Sequence, residues 1–364
     1  MNVLPEALEA LASRVDALEK RVHELEHPSE ALAAPAAQRF DAPAIAQVAE
    51  GAGIDQAGSM FPVLGRAMLG IAGAYVLRAV AESSPGSRQA IAAVAIAYAV
   101  AWLVWAAKAK AAALFTRVTY AGTSALILAP MLWELTLRFK VLAPPLTAAV
   151  LGAFVLTSAA LAWRRDLAAV FWVAHGAAAA TALALSIATQ QMIPFLAALL
   201  LMVVLCEFAV ARGRGQAVRP LVAALADAAV WALIFIYANP QSTRTDYPLL
   251  GTAALLAPAC LLFLIHGVSV ALKTTLLQRK ITAFEVVQCM ITFLLAATSL
   301  LLFAPDIGPH FVGVACLTLA AACYVAAFVL FRPAAEPRNF RVFAAWSALL
   351  LLAGTLSTLP LAWA

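Results

Sequence analysis

The sequence predicts an all-α fold, a polytopic membrane helix bundle of about eleven transmembrane helices behind a short N-terminal coiled-coil helix. Composition is the first reason. Of the residues, 64% are hydrophobic and 12% charged, against roughly 25% charged in soluble domains, and the mean hydropathy is +0.92. Apolar stretches of about twenty residues, the length of helix that crosses a hydrocarbon core, recur from Phe61 to Trp363. Lys and Arg collect in every second gap between them, the bias of cytoplasmic loops.

Residues 1–27 form the first element, read as a cytoplasmic coiled-coil helix. Leu4, Leu8, Leu11, Val15, Leu18, Val22 and Leu25 alternate in steps of four and three, and the seam ends at His27-Pro28. Leu at each d position, with Leu, Val and Val at a, fits a parallel two-stranded coil. Arg14 and Arg21 at g face Glu19 and Glu26 at the following e positions, the spacing for interchain pairs. A homodimer or oligomer through residues 4–25 is therefore expected; a single amphipathic helix is the other reading. Residues 28–60, rich in Ala, Pro and Gly and without a sustained apolar period, read as a flexible linker. The first sixty residues lack the basic and apolar pattern of a signal peptide, so insertion is expected to start at the first span.

Residues 61–364 form the transmembrane domain. The spans fall at about 61–81, 89–107, 114–137, 142–163, 167–188, 191–211, 219–238, 248–272, 281–304, 309–331 and 340–363. With the N-terminus inside, the inner loops collect Lys108, Lys110, Arg117, Arg164, Arg165, Arg212, Arg214, Arg219, Lys273, Arg279, Lys280, Arg332, Arg338 and Arg341. The outer loops hold only Arg88, Arg138, Lys140 and Arg244. That asymmetry orients the N-terminus to the cytoplasm of a bacterial inner membrane and the C-terminus outside. Four Lys/Arg against ten Asp/Glu make residues 1–60 acidic, so the basic excess belongs to the spans and their loops. Spread over short loops, it suits anionic lipid headgroups and forms no compact nucleic-acid patch. The lipid bilayer is the one partner that composition names.

The stretch Gly65-Arg66-Ala67-Met68-Leu69-Gly70-Ile71-Ala72-Gly73-Ala74-Tyr75-Val76-Leu77-Arg78-Ala79-Val80-Ala81-Glu82 and the later run ILAPMLWEL within Leu126 to Leu137 resemble a bacterial family of multi-pass membrane proteins of unknown function with an N-terminal coiled coil. The resemblance covers the layout of the chain and residues 61–140; longer relatives imply that this chain is a short form. It implies a membrane location and brings no catalytic residues. Physically, Gly70 and Ala74 have the spacing of closely approaching helices. Arg78 and Glu82, four residues apart, pair near the outer surface or line a site there.

Ionisable groups inside a bilayer are costly and need a partner, water or a role. Asp227, His175 and His266 lie about 10 Å from the cytoplasmic face at 1.5 Å per residue, and each His precedes a Gly. They are expected either to border one water-accessible cavity, where histidines exchange protons near neutral pH, or to make interhelical hydrogen bonds. Glu207 and Glu285 sit nearer that face, within reach of headgroups and basic loops. Glu134 reads as an interfacial anchor beside Trp133, and Trp102, Trp105, Trp163 and Tyr247 as interfacial belts. Pro130, Pro194 and Pro258 are the places to look for broken helices.

The five cysteines, Cys206, Cys260, Cys289, Cys316 and Cys323, lie inside spans without metal-ligand spacing and read as apolar filler. No phosphate loop, H-E-x-x-H pair or G-x-S-x-G elbow appears, so no enzyme, cofactor or metal centre is expected. Two classes of function are left. One is a structural, assembly or interaction protein of the membrane, the reading preferred because so few charges line the spans. The other is a secondary carrier or flippase-like transporter, with no substrate identified, using polar groups in the cytoplasmic half.

Overall fold

Lipid offers no hydrogen bonds to a peptide group, so an apolar run dissolved in it winds into helix. The computed structural model describes residues 44–83, 88–109, 114–165, 167–214, 217–239, 247–331 and 337–358, and all regular structure among them is helical. The chain divides into two units, Met1–Ser59 and Met60–Ala364. The helices are α1 Ala44–Ser83, α2 Arg88–Lys108, α3 Leu114–Trp133, α4 Pro144–Arg165, α5 Ala168–Thr189, α6 Met192–Ala211, α7 Arg219–Ala238, α8 Thr252–Ala271, α9 Ala283–Phe303, α10 Gly308–Val325 and α11 Pro337–Thr358. Wider π-helical turns extend α3 over Glu134–Arg138, α8 over Leu272–Leu276 and α10 over Ala326–Leu330.

Ten of these helices are long and apolar enough to cross a membrane, α1 through Met60–Ser83. The exception is α3, whose first half carries Thr116, Arg117, Thr119, Tyr120, Thr123 and Ser124. Thr123 and Ser124 are buried, and Ser124 Oγ donates to Ala99 O of α2 at 2.6 Å, so this polar face points into the bundle. Pro130 and Pro258 sit inside α3 and α8 without ending them, and Pro194 lies in the first turn of α6.

Two expectations meet the start of the chain. The coiled coil of residues 4–25 and the linker residues 28–43 lie outside the described residues. Residues 44–59, expected as linker, are helical and open α1. Ala, Gln and Glu propagate a helix that an adjoining apolar span has already nucleated, even without an amphipathic period.

Helix α6, apolar but for Glu207 near its end, is the hub. In its most apolar stretch 61% of residues are buried, against 11% in α11. Small residues bring helices close: Ala174, Ala178 and Ala182 on α5, which packs on α6, and Ala92, Ala95 and Ala99 on α2, which packs on α3, are all buried. At the edge, a Cβ on Gly70 of α1 would lie 2.3 Å from Trp102 Cζ2, and Tyr98 Oη donates to Gly70 O at 3.1 Å. Trp102, expected in an interfacial belt, is instead buried under α1.

Helices α10 and α11 pair chiefly with each other. Gly313 faces Thr358 and Gly354 faces Leu317, each too close for a side chain. A separate small core of Val270, Ile281, Cys289, Ala326, Ala327, Phe331 and Phe343 fixes this hairpin to α8 and α9. Asn339 bridges the junction, its Oδ1 accepting Ile281 N–H at 2.9 Å and its Nδ2 donating to Arg279 O at 3.1 Å.

Candidate functional site

Register assembles the site at the basic end of the bundle. Glu207 stands near the end of α6 and Arg219 is the first residue of α7. On α8, His266, Ser269 and Lys273 follow at i, i+3 and i+7, and on α9 so do Glu285, Gln288 and Thr292. That spacing puts each trio on one helical face. All eight of these side chains, Glu207, Arg219, His266, Ser269, Lys273, Glu285, Gln288 and Thr292, are buried.

Arg219 grips Glu207 with a fork, Nε to Oε1 at 2.6 Å and Nη2 to Oε2 at 2.9 Å. Its Nη1 donates to Glu285 Oε1 at 3.2 Å, and its guanidinium lies over the Phe284 ring, 4.7 Å from the centroid. Lys273 Nζ donates to Glu207 Oε2 at 2.8 Å and to Glu285 Oε1 at 3.2 Å. Ser269 Oγ adds a further hydrogen bond to Glu207 Oε2. Two carboxylates therefore meet two cations. Desolvating any one alone costs several kcal/mol, and together they are neutral.

Glu285 holds two posts. Oε1 faces the cations, whereas Oε2 accepts Thr282 N–H at 2.9 Å while Glu285 N–H donates to Thr282 Oγ1 at 3.3 Å. This capping box starts α9.

A second polar chain leads deeper into the bundle. Gln288 Nε2 donates to both oxygens of Asp227 on α7, at 3.0 and 2.8 Å, and lies 3.5 Å from His266 Nε2. Across the ring, His266 Nδ1 is 3.4 Å from Glu207 Oε1. The amide nitrogen has donors only, so His266 Nε2 accepts and Nδ1 carries the proton toward Glu207. Asp227 is half-buried, and among the described residues no cation lies within ion-pair reach of it.

Beyond this polar chain, away from the basic end, lies an open groove. Between α7 and α9 a groove of about 500 Å³ is lined by Trp231, Ile234, Phe235, Ala238 and Asn239 on one side and Ile291, Leu294, Leu295, Thr298 and Leu302 on the other. Asp227 and Gln288 stand one turn closer to the basic end on the same two helices.

The structure thus brings together Asp227, His266, Glu207 and Glu285, and leaves His175 apart. His175, on α5, stacks on Phe171 at 3.7 Å between ring centroids, with Nδ1 3.0 Å from Phe171 O and Nε2 without a hydrogen-bond partner among the described residues. Of the two partners expected for Glu207 and Glu285, headgroups or the adjacent basic residues, the structure shows the second, and both carboxylates turn inward onto buried cations. Arg219 and Lys273, counted as loop cations, are those partners. Sequence reasoning missed Arg219, Lys273, Ser269 and Gln288. The i, i+3, i+7 spacing from His266 and the T-x-x-E of Thr282-Ala283-Phe284-Glu285 were the available signals.

At the opposite end Arg78 and Glu82 pair as expected, at 3.4 Å, within a larger network. Arg78 Nη1 meets Glu134 Oε1 at 2.9 Å and Arg138 Nη1 meets Glu82 Oε1 at 2.8 Å, which ties α1 to α3. Glu134 is therefore an ion-pair partner of Arg78. Trp133 beside it is exposed.

No group of three His, Cys, Asp or Glu among the described residues is placed to hold a metal. Comparison of the chain with family models, curated proteins and solved structures gives no match.

Proposed function

We propose that this chain is a secondary carrier of the bacterial cytoplasmic membrane, working without ATP, and that Asp227 is its coupling group. The carrying observation is a mismatch of partners. Glu207 and Glu285 share Arg219 and Lys273, while among the described residues Asp227 is held by the neutral amide of Gln288 and by no ion pair. An ionised carboxyl within a membrane span calls for a counter-charge. A proton serves in the empty state, and a cationic substrate serves in the loaded one, releasing that proton to water. Gln288 couples this exchange to His266, since an imidazole protonated at Nε2 no longer accepts from the amide. The amide then turns over and withdraws its donors from Asp227.

The orientation proposed is N-terminus inside and C-terminus outside, with α3 as an eleventh crossing. Its buried polar face and its seat against α2 support that count, and the basic loops support the orientation. Residues 4–25 are proposed to pair two copies in the cytoplasm.

A structural or assembly role is the second reading, and one observation favours it: the Glu207, Glu285, Arg219 and Lys273 group is charge-balanced and links four unbroken helices. Thiol labelling separates the two. In a variant with its five native cysteines replaced, Asp227→Cys is exposed to a membrane-impermeant maleimide from each side of sealed vesicles. A thiolate forms only where water reaches. Labelling supports the carrier; a thiol inert from both sides leaves the assembly reading standing alone.

A further inference from the structure

We infer that the groove between α7 and α9 binds a hydrophobic organic cation, its positive centre paired with Asp227 and its apolar arms against Trp231 and Phe235. This rests on the carrier reading and names the substrate class of the same site. Its volume, about 500 Å³, lies in the range of roughly 300 to 1,000 Å³ that holds drug-sized ligands.

Three features set the chemistry. The wall is apolar and aromatic: the Trp231 and Phe235 rings stack 5.3 Å apart at 18°, both line the groove, and both are more than half exposed. A cation over such faces gains attraction beyond its burial. Just beyond this wall, on the side of the basic end, stands one acidic group, Asp227, four residues before Trp231, or about 6 Å along the helix axis. The neighbouring cations are already taken, because Arg219 and Lys273 are held between Glu207 and Glu285. Among the described residues, an anion meets no free positive charge here. A neutral acyl chain fills the wall but leaves Asp227 without a counter-ion. An aryl or alkyl ammonium, or a phosphonium, satisfies both.

Purified protein in lipid nanodiscs is titrated with tetraphenylphosphonium, with neutral triphenylphosphine oxide and anionic tetraphenylborate as controls. The expected result is saturable binding of the cation alone, one per chain, with one proton released into weakly buffered solution. Asp227→Asn is expected to weaken binding by roughly ten- to a hundredfold, and Asp227→Glu to restore most of it. Trp231→Ala, on the lipid-exposed face, is expected to weaken binding by roughly two- to thirtyfold.

Equal binding of the neutral compound, or undiminished binding by Asp227→Asn, overturns the assignment and identifies the groove as a lodging for acyl chains. Binding that depends on Asp227 but gives no counterflow in proteoliposomes keeps the site and sinks the carrier. Maleimide labelling of Asp227→Cys, together with no organic-cation binding by the wild type, does the reverse.

Discussion

Glu207 is the residue on which the basic end of the bundle turns, and Glu207→Gln tests it with little change of shape. Glu207 accepts two hydrogen bonds from Arg219, one from Lys273 and one from Ser269, and it faces His266 Nδ1. The substitution removes one negative charge and turns an amide toward donors. Arg219 and Lys273 are then left with Glu285 Oε1, 3.2 Å from each, and the balanced group acquires a net charge of +1. Breaking a buried pair by removing one partner costs about 3–5 kcal/mol, a large fraction of the roughly 5–15 kcal/mol that holds a folded domain together. Reversible unfolding in mixed micelles, against mole fraction of dodecyl sulfate and followed by tryptophan fluorescence, measures the loss. Adding Lys273→Met to Glu207→Gln restores neutrality, and the double variant is expected to be more stable than Glu207→Gln alone by about 1 kcal/mol or more. A single variant within about 1 kcal/mol of wild type, or two losses that simply add, would refute the reasoning.

Gly70→Ala is expected to loosen α1 by about 1–3 kcal/mol, because its Cβ would enter the Trp102 ring. Gly65→Ala, with nothing within 4 Å, should be silent in the same unfolding assay. Asn339→Leu removes both hydrogen bonds to the Arg279–Ile281 backbone and is expected to cost about 1–3 kcal/mol; faster hydrogen exchange at the Ile281 amide reports it. His175→Phe exchanges a buried imidazole with an unsatisfied nitrogen for a ring of similar shape. Stability should hold or rise by about 1 kcal/mol, and substrate-induced proton release should be unchanged. A variant that folds but no longer releases protons would place His175 in the working site after all.

The spans were legible because a run of apolar residues as long as a bilayer is thick has one solution in lipid, and every predicted span coincides with a helix. What the sequence hid was direction. Arg219 and Lys273 look like any other cation at a span boundary, and only the arrival of Glu207 and Glu285 from other helices turns them inward. His175 and His266 share the same His-Gly pattern and the same depth, yet one stacks on its own helix's Phe171 and the other meets Glu207 and Gln288. Trp102 resembled a belt residue until Gly70 opened a slot for it. Depth is a property of one segment, whereas partnership depends on which helices become neighbours.

The order of synthesis gives the capping box at Thr282 and Glu285 a temporal meaning. Helices enter the membrane from the N-terminal side as the chain emerges, so Glu207, Arg219 and Lys273 are made before the acid that completes their charge count. Until Glu285 arrives, the group carries a net charge of +1 that calls for water or an anionic headgroup. The same carboxyl that lets α9 begin is the one that completes the charge balance at the basic ends of α6, α7 and α8, so maturation of that end waits for α9.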